Sequence, residues 1–133
     1  MLFRSAYELA SIDALKREVF GPVLHVVRFA GDRIGDVCAA LNATGFGLTL
    51  GLHTRIENTV NEVRRLARVG NLYVNRNQIG AVVGAQPFGG EGLSGTGPKA
   101  GGPHYLHRFA TERVCSIDTT ASGGNAALMS MET

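Results

Sequence analysis

Between residues 23 and 76 the chain alternates between two hydrophobic periods, and this alternation constrains its fold more than any other feature. VLHVVRF (23–29) is β-branched and apolar, as a mostly buried strand requires. In the next segment Ile34, Val37, Cys38 and Leu41 fall at i, i+3, i+4 and i+7, one helical stripe, with Gly45 as its C-terminal stop. FGLTLGLHT (46–54) returns to strand. Ile56, Val60, Val63 and Ala67 then line one face of a second helix, for which Thr54 and Glu57 make a capping box. VGNLYVNR (69–76) is a third strand. Strands separated by helices cannot be joined by tight turns, so they pair in parallel and define an α/β sheet. Upstream, SIDALKREV (11–19) reads as a short helix opened by Ser11, with Asp13 in its first turn.

The alternation stops at Asn77. Residues 80–106, GAVVGAQPFGGEGLSGTGPKAGGPHYL, hold nine of the chain's 18 glycines, a composition that weakens both helix and strand. A 12-residue extended stretch follows, RFATERVCSIDT (108–119), and then ASGGNAALMSMET. A strand that comes late and has no partner in its own neighbourhood tends to add to another sheet edge, including a second chain's. Three regions result: a partial α/β domain over 1–76, a glycine-rich loop region over 77–107, and a strand and tail over 108–133.

Composition excludes several function classes. With 44% hydrophobic and 18% charged residues in 133, the chain reads as one soluble globular domain. Its net charge of +2 is scattered, which gives nucleic-acid binding no support. No apolar run approaches the roughly 18–20 residues that cross a bilayer, and MLFRSAYELAS has no signal-like apolar core. Cys38 and Cys115 lack a CxxC partner and suggest a reducing, cytoplasmic setting. Gly95 to Ala100 (GTGPKA) fits GxGxxA, but no strand precedes it, and Gly101, Gly102 and Pro103 occupy the place of the helix that should receive a pyrophosphate. Gly92 to Lys99 is interrupted as a phosphate loop by Pro98 and by Ala100 in place of Ser or Thr. His104 and His107 have no third metal ligand nearby. Cys38, on an apolar stripe, and Cys115, alternating with Ile117, read as packing residues. Taken alone, these residues reach no reaction.

Three motifs in order resemble the aldehyde dehydrogenase superfamily: Glu18 to Val23 as E-x-F-G-P-V, Gly45 to Leu50 as GFGLTL, and Pro87 to Gly90 as P-F-G-G with Ser94-Gly95 downstream. The longer run GNLYVNRNQIGAVVGAQPFGGEGLSGTGPKAGGPHYL and the ending SIDTTASGGNAALM resemble the glutamate-semialdehyde (1-pyrroline-5-carboxylate) dehydrogenase module of the bifunctional enzymes of proline catabolism. The resemblance covers residues 5–131 and implies a part of the catalytic α/β domain plus a terminal β-flap.

It also implies roles. Glu18 matches the glutamate that accepts hydrogen bonds from the nicotinamide ribose of NAD, and Phe20 the aromatic beside the nicotinamide. Gly80 and Ala81 match a loop whose backbone N–H groups receive the substrate's α-carboxylate, and Phe88 an aromatic flanking the aldehyde chain. The other loop glycines, Gly89, Gly92 and those from Gly95 to Gly102, serve turns. Residues 108–131 match an oligomerisation flap, so a homo-oligomer is expected. In the family a cysteine thiolate attacks the aldehyde, hydride passes to NAD, and water hydrolyses the thioester. Bifunctional members add FAD in a separate proline dehydrogenase module. The family's cysteine, general base and dinucleotide-binding domain lie upstream of E-x-F-G-P-V, whereas Cys38 lies downstream of it. The expectation is a catalytic-domain fragment with cofactor and substrate contacts, no catalytic residue and no activity alone. The alternative is an autonomous assembly or binding module.

Overall fold

The computed structural model describes residues 4–118. Its elements run β1 (Ser5–Leu9), β2 (Val23–Val27), α1 (Ile34–Ala43), β3 (Phe46–Gly47), β4 (Thr49–Leu52), α2 (Glu57–Leu66), β5 (Asn71–Val74) and β6 (Glu91–Gly92). The expected parallel pairing is present between β4 and β5, but the strand over 23–29 pairs with β1 rather than with 46–54, so the described strands form three two-stranded sheets and not one. β1 lies parallel to β2 with Ser5 opposite Val23, and β4 lies parallel to β5 with Thr49 opposite Asn71. The predicted 46–54 strand breaks at Leu48. Gly47 turns aside to pair with Glu91 in the antiparallel β3–β6 ribbon, while Thr49–Leu52 stays with β5. β1 itself had no signal in the sequence reading. It is reinforced across β2 by the stacked rings of Tyr7 and His25, 6.3 Å apart, and by an exposed pair in which Arg28 Nε donates to Glu8 Oε1 at 2.6 Å, a contact worth about 1 kcal/mol or less.

The buried apolar residues fall on the two long helices and on β5, where Tyr73 is buried. Cys38 of α1 and Val63 of α2, each the predicted centre of its stripe, are 1% and 2% exposed. Burial, and then the Glu62 carboxylate, push the Cys38 thiol up from its ordinary value. Asn42 joins the two helix ends. Its Nδ2 donates to Leu66 O at 2.8 Å, and its Oδ1 accepts from Arg68 N–H at 2.9 Å, so one side chain serves the C-terminus of α2 from the end of α1. Gly45, at φ +78°, takes the left-handed turn that ends α1.

Three expectations need correction. The helix over 11–19 is only a 3₁₀ turn, Ile12–Ala14, and Ser11 makes no side-chain cap bond. The segment is closed by Gly21 at φ +137° and Pro22, which leaves too few residues to offset helix nucleation. The capping box does not form. Thr54 is tied to Asn75, its N–H donating to Asn75 Oδ1 at 3.0 Å and its C=O accepting from Nδ2 at 2.9 Å, which leaves Ile56 as the N-cap. Ile56 is 62% exposed, so the buried face of α2 is narrower than its stripe. The late strand is also missing from the described residues. Tyr105–Phe109 is a 3₁₀ turn, and 110–118 carry no regular structure and lie exposed. Extended backbone without a partner edge cannot satisfy its N–H and C=O groups as a strand. Residue 119 and the tail over 120–131 lie outside the described residues.

Candidate functional site

β5 launches the loop that carries three of the expected site residues. Asn75 sits at φ +54°, a conformation Asn tolerates better than other L-residues, and its reciprocal bonds to Thr54 close the β4–β5 ladder. The loop then folds on its own side chains. Asn77 Oδ1 accepts from Ile79 N–H at 2.7 Å, and Gln86 Oε1 accepts from Val82 N–H at 2.8 Å. Ala85 and Gln86 N–H both donate to Val82 O, at 3.1 and 2.9 Å, around Gly84 at φ +82°. Gly80 and Ala81 lie between these two tethers. Among the described residues their N–H groups donate to no acceptor, and no atom lies within 4 Å of where a Cβ of Gly80 would stand.

Phe88 reaches the same place by a separate set of bonds. Asn71, only 9% exposed, straddles it: Nδ2 donates to Pro87 O at 3.0 Å, and Oδ1 accepts from Gly89 N–H at 3.4 Å. Phe88 and Ala100 exchange backbone bonds at 3.0 and 2.9 Å. Gly70 allows the close approach, since a Cβ there would run into Gly89 O. Lys99 Nζ adds a bond to Gly70 O. The product is a cavity of about 430 Å³ lined by Gly80, Ala81 and Phe88 together with Ile79, Val83, Gln86 and Ala100, among others. No charged side chain lines it. The turn-making expected of the other glycines is visible at Gly92, Gly97 and Gly101, all at positive φ.

The expected cofactor residues are arranged differently. Glu18 is exposed and lines a second cavity of about 450 Å³ with Leu15, Val19, Phe46 and Ser94. Its carboxylate makes no hydrogen bond or ion pair with the described residues. An acceptor left free at a cavity wall fits a pair of ribose hydroxyls. Phe20 does not line that cavity and is 88% exposed. The three residues expected to bind substrate therefore meet in one hollow, Glu18 borders another, and Phe20 stands apart.

Other candidates drop out. Cys38 is sealed in the helix seam with a raised pKa, the opposite of an activated nucleophile. The His104 and His107 rings lie 5.5 Å apart, but no group of three His, Cys, Asp or Glu suited to a metal occurs among the described residues. No helix there is long and apolar enough to cross a membrane. Sequence reasoning missed Asn71 and Gln86, which build the hollow. Their signal was slight: an Asn at the head of an otherwise apolar strand, and a Gln beside the Pro of P-F-G-G.

The chain belongs to the aldehyde dehydrogenase family, whose sequence profile matches residues 10–114. Within it, the chain is 64% identical over 106 residues to the bifunctional protein PutA of Klebsiella aerogenes, covering 80% of this chain and 8% of that protein. Its fold is similar to a crystal structure of a Bradyrhizobium japonicum proline utilization A variant, with a TM-score of 0.79 and 58% identity over 87% of this chain and 12% of that one. A Thermus 1-pyrroline-5-carboxylate dehydrogenase with bound NAD gives a TM-score of 0.71 at 40% identity, covering 78% of this chain and 20% of the other. The chain thus spans a small part of each relative's length.

Proposed function

We propose that this chain is the C-terminal, substrate-anchoring part of an NAD-dependent L-glutamate γ-semialdehyde (1-pyrroline-5-carboxylate) dehydrogenase of proline catabolism. The observation that carries the reading is the pair of unpartnered amides, Gly80 and Ala81, in one hollow with Phe88. Two adjacent N–H groups aimed at one site form an anion cradle, and the substrate's α-carboxylate accepts from both. Phe88 packs against the aliphatic chain and holds the aldehyde end away from the cradle. Glu18 accepts from the ribose hydroxyls of NAD, which supplies the hydride acceptor when bound. NAD is in keeping with the family and with the NAD-bound Thermus relative. The thiolate that attacks the aldehyde is not Cys38, and the chain contributes binding and orientation. A parent of the bifunctional kind would also carry FAD in its proline dehydrogenase module.

Titrating L-glutamate, the reaction product, into the ¹⁵N-labelled chain tests the cradle. Gly80 and Ala81 amide signals move while Gly31 does not, and isoglutamine, with its α-carboxylate replaced by an amide, moves neither. Still signals at Gly80 and Ala81 would remove the anchor. Ala81→Pro, which deletes one donor, abolishes the shift at Gly80. The chain alone forms no NADH from glutamate semialdehyde and NAD; turnover that disappears in Cys38→Ala would overturn that expectation.

Self-association through residues 108–131 belongs to the same reading. Val114 and Ile117 are 90% and 76% exposed on a segment without regular structure, as suits a strand completed by a second copy. Truncation after His107 lowers the mass measured by light scattering. An unchanged mass would mean that the tail holds nothing together.

A further inference from the structure

We infer that Gln86 is a third donor to the carboxylate held by Gly80 and Ala81, and so helps to select substrates that carry one. This rests on the carboxylate reading above and extends it to a residue that reading does not use. Val82 N–H can only donate, so the Gln86 atom facing it at 2.8 Å must be the amide oxygen. That contact fixes which end of the amide is the NH₂. Among the described residues this NH₂ donates to no acceptor, yet Gln86 is half-buried and lines the 430 Å³ hollow.

The wall of the hollow is therefore asymmetric in kind. Its lining residues include two with free backbone N–H groups and one with a free primary amide, and neither an acidic side chain to repel an anion nor a Lys or Arg to draw a multiply charged one. A monoanion with several lone pairs suits this set. A carboxylate has about four acceptor sites, enough for all three groups. The tether to Val82 has a second effect: it immobilises the Gln86 amide before ligand arrives, so less side-chain freedom is lost on binding.

The test uses the full chain with L-glutamate as the probe. In the unsubstituted chain, the Gln86 side-chain NH₂ signals move along with Gly80 and Ala81. Gln86→Glu keeps an oxygen for Val82 N–H but replaces the donor with a negative charge, and weakens L-glutamate binding roughly tenfold or more. Gln86→Met, which removes donor and tether without adding charge, weakens it less. Movement of Gly80 and Ala81 with a still Gln86 NH₂ pair would overturn this inference and leave the cradle standing. Unchanged affinity in Gln86→Glu would do the same. Stillness at all three positions would overturn both.

Discussion

The segment carrying Gly80, Ala81 and Phe88 and the segment carrying Glu18 and Phe20 are both irregular loops, but they are held very differently. The first is fastened at each end by side chain-to-backbone bonds from Asn77, Gln86 and Asn71. Residues 16–20 make no hydrogen bond with any described residue, and Phe20 is 88% exposed. A site built on the first kind of loop is shaped before ligand arrives, and binding loses little to ordering. The second kind takes its shape from whatever it touches. On the proposed function, substrate recognition is encoded within this chain, whereas its cofactor contacts depend on a surface that NAD or other protein must supply.

The contrast predicts a graded set of outcomes. Asn71→Leu should have the largest effect, because it removes both bonds around Phe88 and leaves Pro87 O and Gly89 N–H unpaired beside a new apolar group. A loss of about 2–3 kcal/mol in denaturant unfolding is expected, with the Phe88 ring signals broadened. A loss within error would show that the loop is not fastened there. Gly70→Ala follows, at about 1–3 kcal/mol, since its Cβ meets Gly89 O; retention of full stability would mean that the two backbones separate readily.

A pH effect comes next. The folded-state thiol of Cys38 titrates above its ordinary value of 9.0, so the unfolded chain loses this proton first as pH rises. Stability is unaffected by this group below that range and falls as pH climbs through it. Urea midpoints measured on the alkaline side should decline less steeply in Cys38→Ala; identical slopes would contradict the buried thiol. Glu18→Gln should change least, within about 0.5 kcal/mol, because no described residue bonds to that carboxylate. A loss well beyond that would reveal an internal partner and erase the difference between the two loops.

What was legible in the sequence follows the reach of the interactions. Both long helices and the parallel β4–β5 pair could be read, because Val37, Cys38 and Val63 obey a local period and the connection through α2 leaves parallel pairing as the natural outcome. The failures involve competition. Thr54 has the right spacing for a capping box, but the side chain of Asn75, 21 positions away, takes both its backbone groups. Residues 108–118 have strand-like composition but join no sheet among the described residues. The grouping of Gly80, Ala81 and Phe88 was expected from resemblance alone. The side chains that enforce it, Asn71 and Gln86, act through single polar bonds that leave no periodic trace.

Asn42 has a consequence for how the chain comes apart. Its one amide spans Leu66 and Arg68, so the last turn of α2 cannot fray without losing a partner on α1, and α1 cannot unwind from its C-terminus without exposing two backbone groups of the other helix. The two helices then open as one cooperative unit. Their slowest amide protons, around the buried Cys38 and Val63, should exchange with deuterium at a common rate. In Asn42→Ala that single rate should split in two, with α2 exchanging first.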